Sequence, residues 1–135
     1  MKARWFAGWL SSKQPRKQRK YVFNAPLHKR HALVSAHLNK ELMKKHGRRS
    51  FPIRKGDRVK IVRGQYRGTI GEVERVDLKK YRINIKGAEH KKTEGRTSYY
   101  PIHPSNVIIL TLKLDDKKRK QALERKEVKK KEVKK

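Results

Sequence analysis

Residues 54–76 read RKGDRVKIVRGQYRGTIGEVERV. Apolar side chains alternate with charged ones, Val59 and Ile61 against Arg58, Lys60 and Arg63, which is the period of a half-buried strand. Four glycines interrupt the run: Gly56, Gly64, Gly68 and Gly71. Glycine packs nothing and loses much backbone freedom on folding, so strand interiors normally avoid it. A small, strongly curved barrel explains all four. Gly56 suits a positive φ in the turn into the first strand. Gly64 ends that strand and Gly68 closes the loop after it. Gly71 lets the second strand curve or come close to a neighbour. The loop so framed carries Arg63, Gln65, Tyr66 and Arg67, and small residues beside cations let a phosphate backbone approach the peptide. Tyr66 is either an ordinary loop aromatic or a stacking platform for a base, and the surrounding cations favour the second reading.

The period of two continues outward. Ile70, Val73 and Val76 are spaced by three, which a bulge near Glu74 reconciles with a strand. Tyr81, Ile83 and Ile85 alternate with Arg82, Asn84 and Lys86. A turn at Glu94 and Gly95 precedes a further strand around residues 97–100, and VIILTL at 107–112 is an apolar run suited to a strand covered on both faces. Several short strands between close turn signals predict a mainly β fold, a small barrel over residues 51–112.

Upstream, LNKELMKKHG at 38–47 predicts a short helix within a connector spanning 38–50. Asn39 is its N-cap, Glu41 sits in the first turn, Lys44, Lys45 and His46 in the last, and Gly47 is a left-handed stop. Leu38, Leu42 and Met43 form its apolar face. Residues 1–37 read as a basic extended arm. Over 11–31 it carries Pro15 and Pro26, basic clusters and no periodicity of either kind. Tyr21 and Phe23, interleaved with the charges, either anchor the arm on its own domain or stack on bases. The tail, 113–135, predicts a helix capped by Asp115 and running to about Arg125, with fraying or disorder beyond Glu127.

The 135 residues contain 40 Lys and Arg against 12 Asp and Glu, a formal charge of +28. Residues 1–40 hold ten basic side chains and no acid, whereas 51–112 hold fourteen and six. A folded domain must keep self-repulsion tolerable; an arm laid on phosphates need not. The expected partner is nucleic acid, ahead of an anionic membrane surface. With 34% hydrophobic residues, 39% charged ones and a mean hydropathy of −1.07, the chain has core material for a small folded unit flanked by extensions that order against a partner. There is no cysteine, which excludes disulfides and thiolate metal sites. No apolar stretch approaches the roughly 20 residues of a membrane helix, and MKARWFAGWLSSK is too short and broken in its apolar run for a signal peptide, so it reads as mature protein.

Enzymatic chemistry finds no purchase. His28 and His31 have a metal-like spacing, but Lys29 and Arg30 between them oppose a cation, so no metal or other cofactor is expected. His103, between two prolines in PIHPSN, is structural or donates to RNA. RKGDRVK lacks the phosphate-loop pattern, and no nucleophile elbow or paired carboxylates are present.

GDRVKIVRGQYRGTIGEVERV resembles the KOW motif, a strand–glycine loop–strand element of SH3-like barrels in ribosomal and transcription-elongation proteins. Upstream RKQRKYVFNAPLHKRH and KELMKKHGRRSFPIRKGD, with downstream YYPIHPSNVIILTLKLDDKKRK, are similar in order and spacing to one family. It is the large-subunit ribosomal protein numbered twenty-four in the universal scheme and twenty-six in the eukaryotic one, in its archaeal and eukaryotic branch. The resemblance covers roughly residues 13–125; MKARWFAGWLS and the repeated KEVKK depart from it. It implies a cytoplasmic protein on the ribosome, bound to a 5′-proximal domain of the large-subunit rRNA early in assembly. It also implies neighbouring ribosomal proteins as partners, a place near the nascent-chain exit where factors dock, and no membrane insertion.

The residues expected on rRNA are Arg16, Lys17, Arg19, Lys20, His28, Lys29 and Arg30 in the arm. Arg48, Arg49, Arg54 and Lys55 follow before the barrel, and Arg63, Gln65, Tyr66 and Arg67 lie in the loop. The rival readings are a KOW-type transcription-elongation factor, a nucleic-acid coat protein without a fixed site, and an SH3-like peptide binder. The arm and PIHPSN argue against the first, and the sparse aromatics against the last.

Overall fold

The computed structural model describes residues 4–132, with side chains through residue 125. A 3-10 turn at Ala7–Ser11 leads to helices α1 (Pro15–Phe23) and α2 (Leu27–Leu33), strand β1 (Ser35–Leu38) and helix α3 (Lys40–His46). Strands β2 (Ser50–Pro52), β3 (Arg58–Ile61), β4 (Ile70–Asp77) and β5 (Arg82–Ile85) follow, then the hairpin of β6 (Glu89–Lys91) and β7 (Thr97–Tyr99). A 3-10 turn at Pro104–Asn106 opens β8 (Val107–Thr111), and α4 (Lys117–Glu132) ends the described chain.

Six strands form one sheet in the order β2-β1-β8-β3-β4-β5. Beyond β5 the sheet turns back on itself. Ile83 and Ile102 exchange backbone hydrogen bonds of 2.8 and 2.9 Å, so the chain entering β8 also pairs with the far edge. That closure gives a barrel-like arrangement around a core of Val59, Ile61, Val73, Ile83, Ile85, Val107 and Ile109, all almost fully enclosed. Burying a side chain of this size contributes about 1.5–3 kcal/mol, which drives the closure.

The expected bulge is present: β4 and β5 shift register between Val73 and Arg75, which leaves Glu74 as the extra residue. It turns Val73 inward, while Ile70, 47% exposed, lies outside the core. Gly71 makes the close approach its position suggested. A Cβ there would lie 2.0 Å from the Lys86 carbonyl oxygen, a backbone atom that cannot step aside. Gly64 and Gly68 have open space around them but φ of 93° and 95°, so their constraint is conformational.

Helix α3 follows its sequence signals. The Asn39 side chain accepts from the Lys40 amide, and Gly47 takes φ 58° and ψ 21°. Leu38, however, belongs to β1 and not to the face of α3. Val34, Ala36 and Leu38 are buried alternately with half-exposed Ser35 and His37, and β1 pairs antiparallel with β2 and parallel with β8.

The extended arm is corrected. Residues 15–33 hold two helices: Pro15 occupies the first turn of α1, where its missing amide hydrogen costs nothing, and Pro26 stands extended just before α2 with no side-chain cap bond. At the other end Asp116, not Asp115, caps α4, accepting from the Lys118 amide at 2.8 Å. The helical backbone continues to Glu132, past the expected fraying point at Glu127. The side chains of the KEVKK repeat lie outside the described residues.

The start of α4 is fastened by a buried pair that sequence patterning did not single out. Arg119, 4% exposed, meets fully buried Asp57 through two charge-assisted bonds of 2.8 and 2.6 Å. Asp57 also accepts from the amides of Arg54 and Lys113 at 2.8 and 3.0 Å, and Arg119 donates to the carbonyls of Lys113 and Pro52. One turn of chain, one strand end and one helix converge on this carboxylate.

Candidate nucleic-acid interface

The cations named from sequence divide into three groups. Arg16, Arg19 and Lys20 stand at i, i+3 and i+4 on α1, so they share a face, and Phe23 at i+7 extends it. They line an open groove of about 1120 Å³ whose opposite wall is Lys79 and Tyr81, at the turn between β4 and β5. Lys17 lies off this face. Lys20 also stands over the Trp9 ring, 5.0 Å from its centroid.

The helix carrying this face is held firmly. Tyr21, 4% exposed, stacks on Trp5 at 5.3 Å, and the Trp5 indole donates to the Tyr21 carbonyl. The Gln18 amide reaches the carbonyls of Trp9, Leu10 and Ser12. The Tyr81 hydroxyl donates to the Val22 carbonyl at 2.6 Å. Tyr81 does so from φ 54°, a left-handed conformation that a bulky residue adopts only when its surroundings enforce it. Thus of the two arm aromatics Tyr21 anchors, while Phe23 stands 80% exposed.

Arg30, expected on RNA, is committed within the fold. It donates to the carbonyls of Ala25 and Phe23 at 2.7 and 2.8 Å, closing the C-terminal end of α1. His28 is exposed and Lys29 half-exposed beside it on α2. The second group is also partly committed. Arg48 lies over the Phe51 ring at 5.9 Å, and Arg54 pairs with Asp116. That guanidinium, helped by the Lys118 amide, holds the Asp116 carboxyl below the usual carboxylate range. Arg49 and Lys55 are exposed.

The third group is the glycine-framed loop. Arg63, Gln65 and Arg67 are exposed, and neither arginine has a side-chain partner among the described residues. Tyr66 is different from its expectation: its hydroxyl donates to the Glu89 carbonyl at 2.8 Å and its ring packs on Tyr100 at 5.3 Å. It braces the loop against the β6–β7 hairpin. A cleft of about 220 Å³ beside it is lined by Arg63, Gln65, Tyr100, Arg82, His103 and Asn106. His103 uses Nδ1 to accept from the Ser105 amide, capping the turn before β8. Partial desolvation, and secondarily Arg82, push its pKa below the ordinary imidazole value.

Among the described residues the arrangement offers anion contacts and aromatic surface and no catalytic constellation. Arg82 and the Tyr100 face escape sequence reading, because only the fold brings residues 63–67 beside 100–106. The face of α1 shows in the sequence as an i, i+3, i+4, i+7 pattern once Pro15 is read as a helix start.

Residues 12–126 match the model of a family described as ribosomal proteins, L26 in eukaryotes and L24 in archaea. A protein of Methanosphaera stadtmanae named large ribosomal subunit protein uL24 is 57% identical over 115 residues, 85% of this chain and 98% of that one. Its namesake in Korarchaeum cryptofilum is 54% identical over 124 residues, 92% and 95% of the two chains. With the match spanning the arm helices, the barrel and the docked start of α4, the chain belongs to this family of eukaryotic L26 and archaeal L24 ribosomal proteins, structural proteins and not enzymes.

Proposed function

We propose that the chain is a structural constituent of the large ribosomal subunit, in the cytoplasm, and that it binds a 5′-proximal domain of the large-subunit rRNA early in assembly. It sits near the nascent-chain exit, against neighbouring ribosomal proteins and within reach of factors that dock there. The observation that carries the RNA reading is the cationic face of α1, Arg16, Arg19 and Lys20 held rigidly on a segment without a single acid before Glu41. The exposed Arg63 and Arg67 supply a second contact, in the element that resembles a KOW motif of an SH3-like barrel. Phosphate neutralisation gives the affinity, and the shape of the folded RNA gives the specificity.

Sedimentation of a tagged copy from cell lysate, with a high-salt wash of the subunit peak, tests the reading. Stoichiometric, salt-resistant migration with the large subunit is expected. Migration at the top of the gradient, or with RNA polymerase, would overturn it in favour of an elongation factor. Arg63→Ala with Arg67→Ala should leave the fold intact and weaken rRNA binding, since neither side chain supports the barrel. Unfolding of that pair, followed by circular dichroism, would assign the loop a structural role alone.

A further inference from the structure

We propose that the groove between α1 and the β4–β5 turn holds a single-stranded stretch of RNA, with one unpaired base stacked on the Phe23 ring and Arg16, Arg19 and Lys79 on its flanking phosphates. This deepens the rRNA-binding reading and rests on it.

Three observations converge. The first is where apolar surface is left uncovered. Among the described residues nine large hydrophobic side chains are exposed, and six of them, Phe6, Leu10, Val22, Phe23, Leu27 and Leu33, fall within the first 33 residues. Of these six, Val22 and Phe23 line the groove, and Phe23, 80% exposed, leaves an apolar ring open to a partner there. The second is charge. The same segment carries no acidic residue, and the groove is lined by Arg16, Arg19, Lys20 and Lys79. An apolar protein surface laid there would bury those cations without partners, which is costly. A ligand presenting flat apolar faces between regularly spaced anions satisfies both features, and single-stranded nucleic acid is that ligand. The third is rigidity. Phe23 does not stand on a loose loop: its own carbonyl is held by Arg30, and the preceding one by Tyr81. The backbone that carries the ring is fixed before any partner arrives, so only its side-chain torsions are left to order on binding.

The groove, about 1120 Å³ and open to solvent, is no smaller than the roughly 300–1,000 Å³ of small-molecule pockets, and its cationic lining argues for a polyanion. Phe23 sits one turn beyond Arg19 and Lys20 on the same helix face, which sets base and phosphate contacts side by side.

The test measures binding of the full-length protein to deproteinised large-subunit rRNA by filter retention over a salt series, with an unrelated RNA of equal length as reference. Phe23→Ala should weaken binding roughly five- to 150-fold, the range for loss of one stacked base, with the salt slope unchanged. Phe23→Trp should restore it and Phe23→Leu should not. Arg19→Gln should weaken binding and also lower the slope by about one. The thermal midpoint of Phe23→Ala should match the parent, because the ring is exposed. Normal binding by Phe23→Ala with weakened Arg19→Gln would overturn the stacking and leave the rRNA reading intact. Full rescue by Phe23→Leu would overturn the stacking, because an apolar contact with the RNA would then do without an aromatic ring. Equal binding of both RNAs by the parent protein would remove the rRNA reading itself, and this site with it.

Discussion

At the scale of single residues the molecule turns on Asp57. It is the acid of RKGDRVK, one charge among many in sequence, and nothing in its spacing marks it as buried. In the fold it accepts four hydrogen bonds, two from Arg119 and two from backbone amides, that of Arg54 nearby and that of Lys113 56 residues along the chain. A carboxylate can satisfy its lone pairs this way, and a buried one must. Removing it leaves the buried Arg119 guanidinium without a counter-charge, held only by the carbonyls of Lys113 and Pro52 and with its Nε already unpartnered. Asp57→Ala should therefore cost about 3–5 kcal/mol, measured by denaturant unfolding. A loss below about 1 kcal/mol would mean that the pair is replaceable by water. Gly71 is the contrasting case. That glycine announces itself inside an alternating run, and its close contact with the Lys86 carbonyl follows from the anomaly. Asp57 is silent because its partner lies 62 residues away.

At the scale of elements, those with local punctuation are legible. Helix α3 carries its cap, its charges and its stop within ten residues, and the bulge in β4 shows as a break of period. Helix α1 and strand β1 are hidden, for different reasons. Proline in the first turn of a helix looks like a sign of extended chain, and Val34, Ala36 and Leu38 alternate over too few residues to stand out. The position of α1 is set by tertiary contacts that no local pattern contains. The bond from Tyr81 to the Val22 carbonyl is one, so Tyr81→Phe should cost about 0.5–1.5 kcal/mol of docking. The expected signature is faster tryptic cleavage at Arg16, Lys17 and Arg19 with unchanged hydrogen exchange in β3, β4 and β8.

The turn before β8 carries its own titration. Because partial desolvation and Arg82 disfavour the charged His103 ring, the unfolded chain takes up that proton more readily than the folded one. The contribution of His103 is then fully present above the free imidazole value of about 6.5. It declines as pH falls below that value and through the folded one. Protonation of Nδ1 also removes the acceptor for the Ser105 amide. In an NMR titration the His103 ring should show a midpoint below that of a free imidazole, with the Ser105 amide moving in step. A midpoint at or above the free value would refute the capping account.

At the scale of the whole molecule, composition shows where charge is concentrated along the chain but not the boundary of the folded unit. The arm and the barrel differ in charge balance, and that suggests a division after residue 37. The sheet does not respect it: β1 lies between β2 and β8, with Ala36 and Leu38 in the core. Charge balance and burial change at different points along the chain. Two truncations separate them. Removing residues 1–33 takes away nine Lys and Arg, the groove and both arm helices, yet leaves every strand of the sheet. Removing residues 1–38 takes β1 as well and strips β8 of one neighbour. The shorter truncation should retain a cooperative thermal transition and dispersed amide resonances, and the longer one should lose both. In RNA binding, the shorter truncation should lower the slope of affinity against salt by several units. The upper limit is about six, if all nine lost cations contact phosphates of single-stranded RNA. An unchanged slope would mean that the cations of the first 33 residues do not lie on RNA, and that those of the remaining chain, such as Arg49, Lys55, Arg63 and Arg67, carry the electrostatic part of binding.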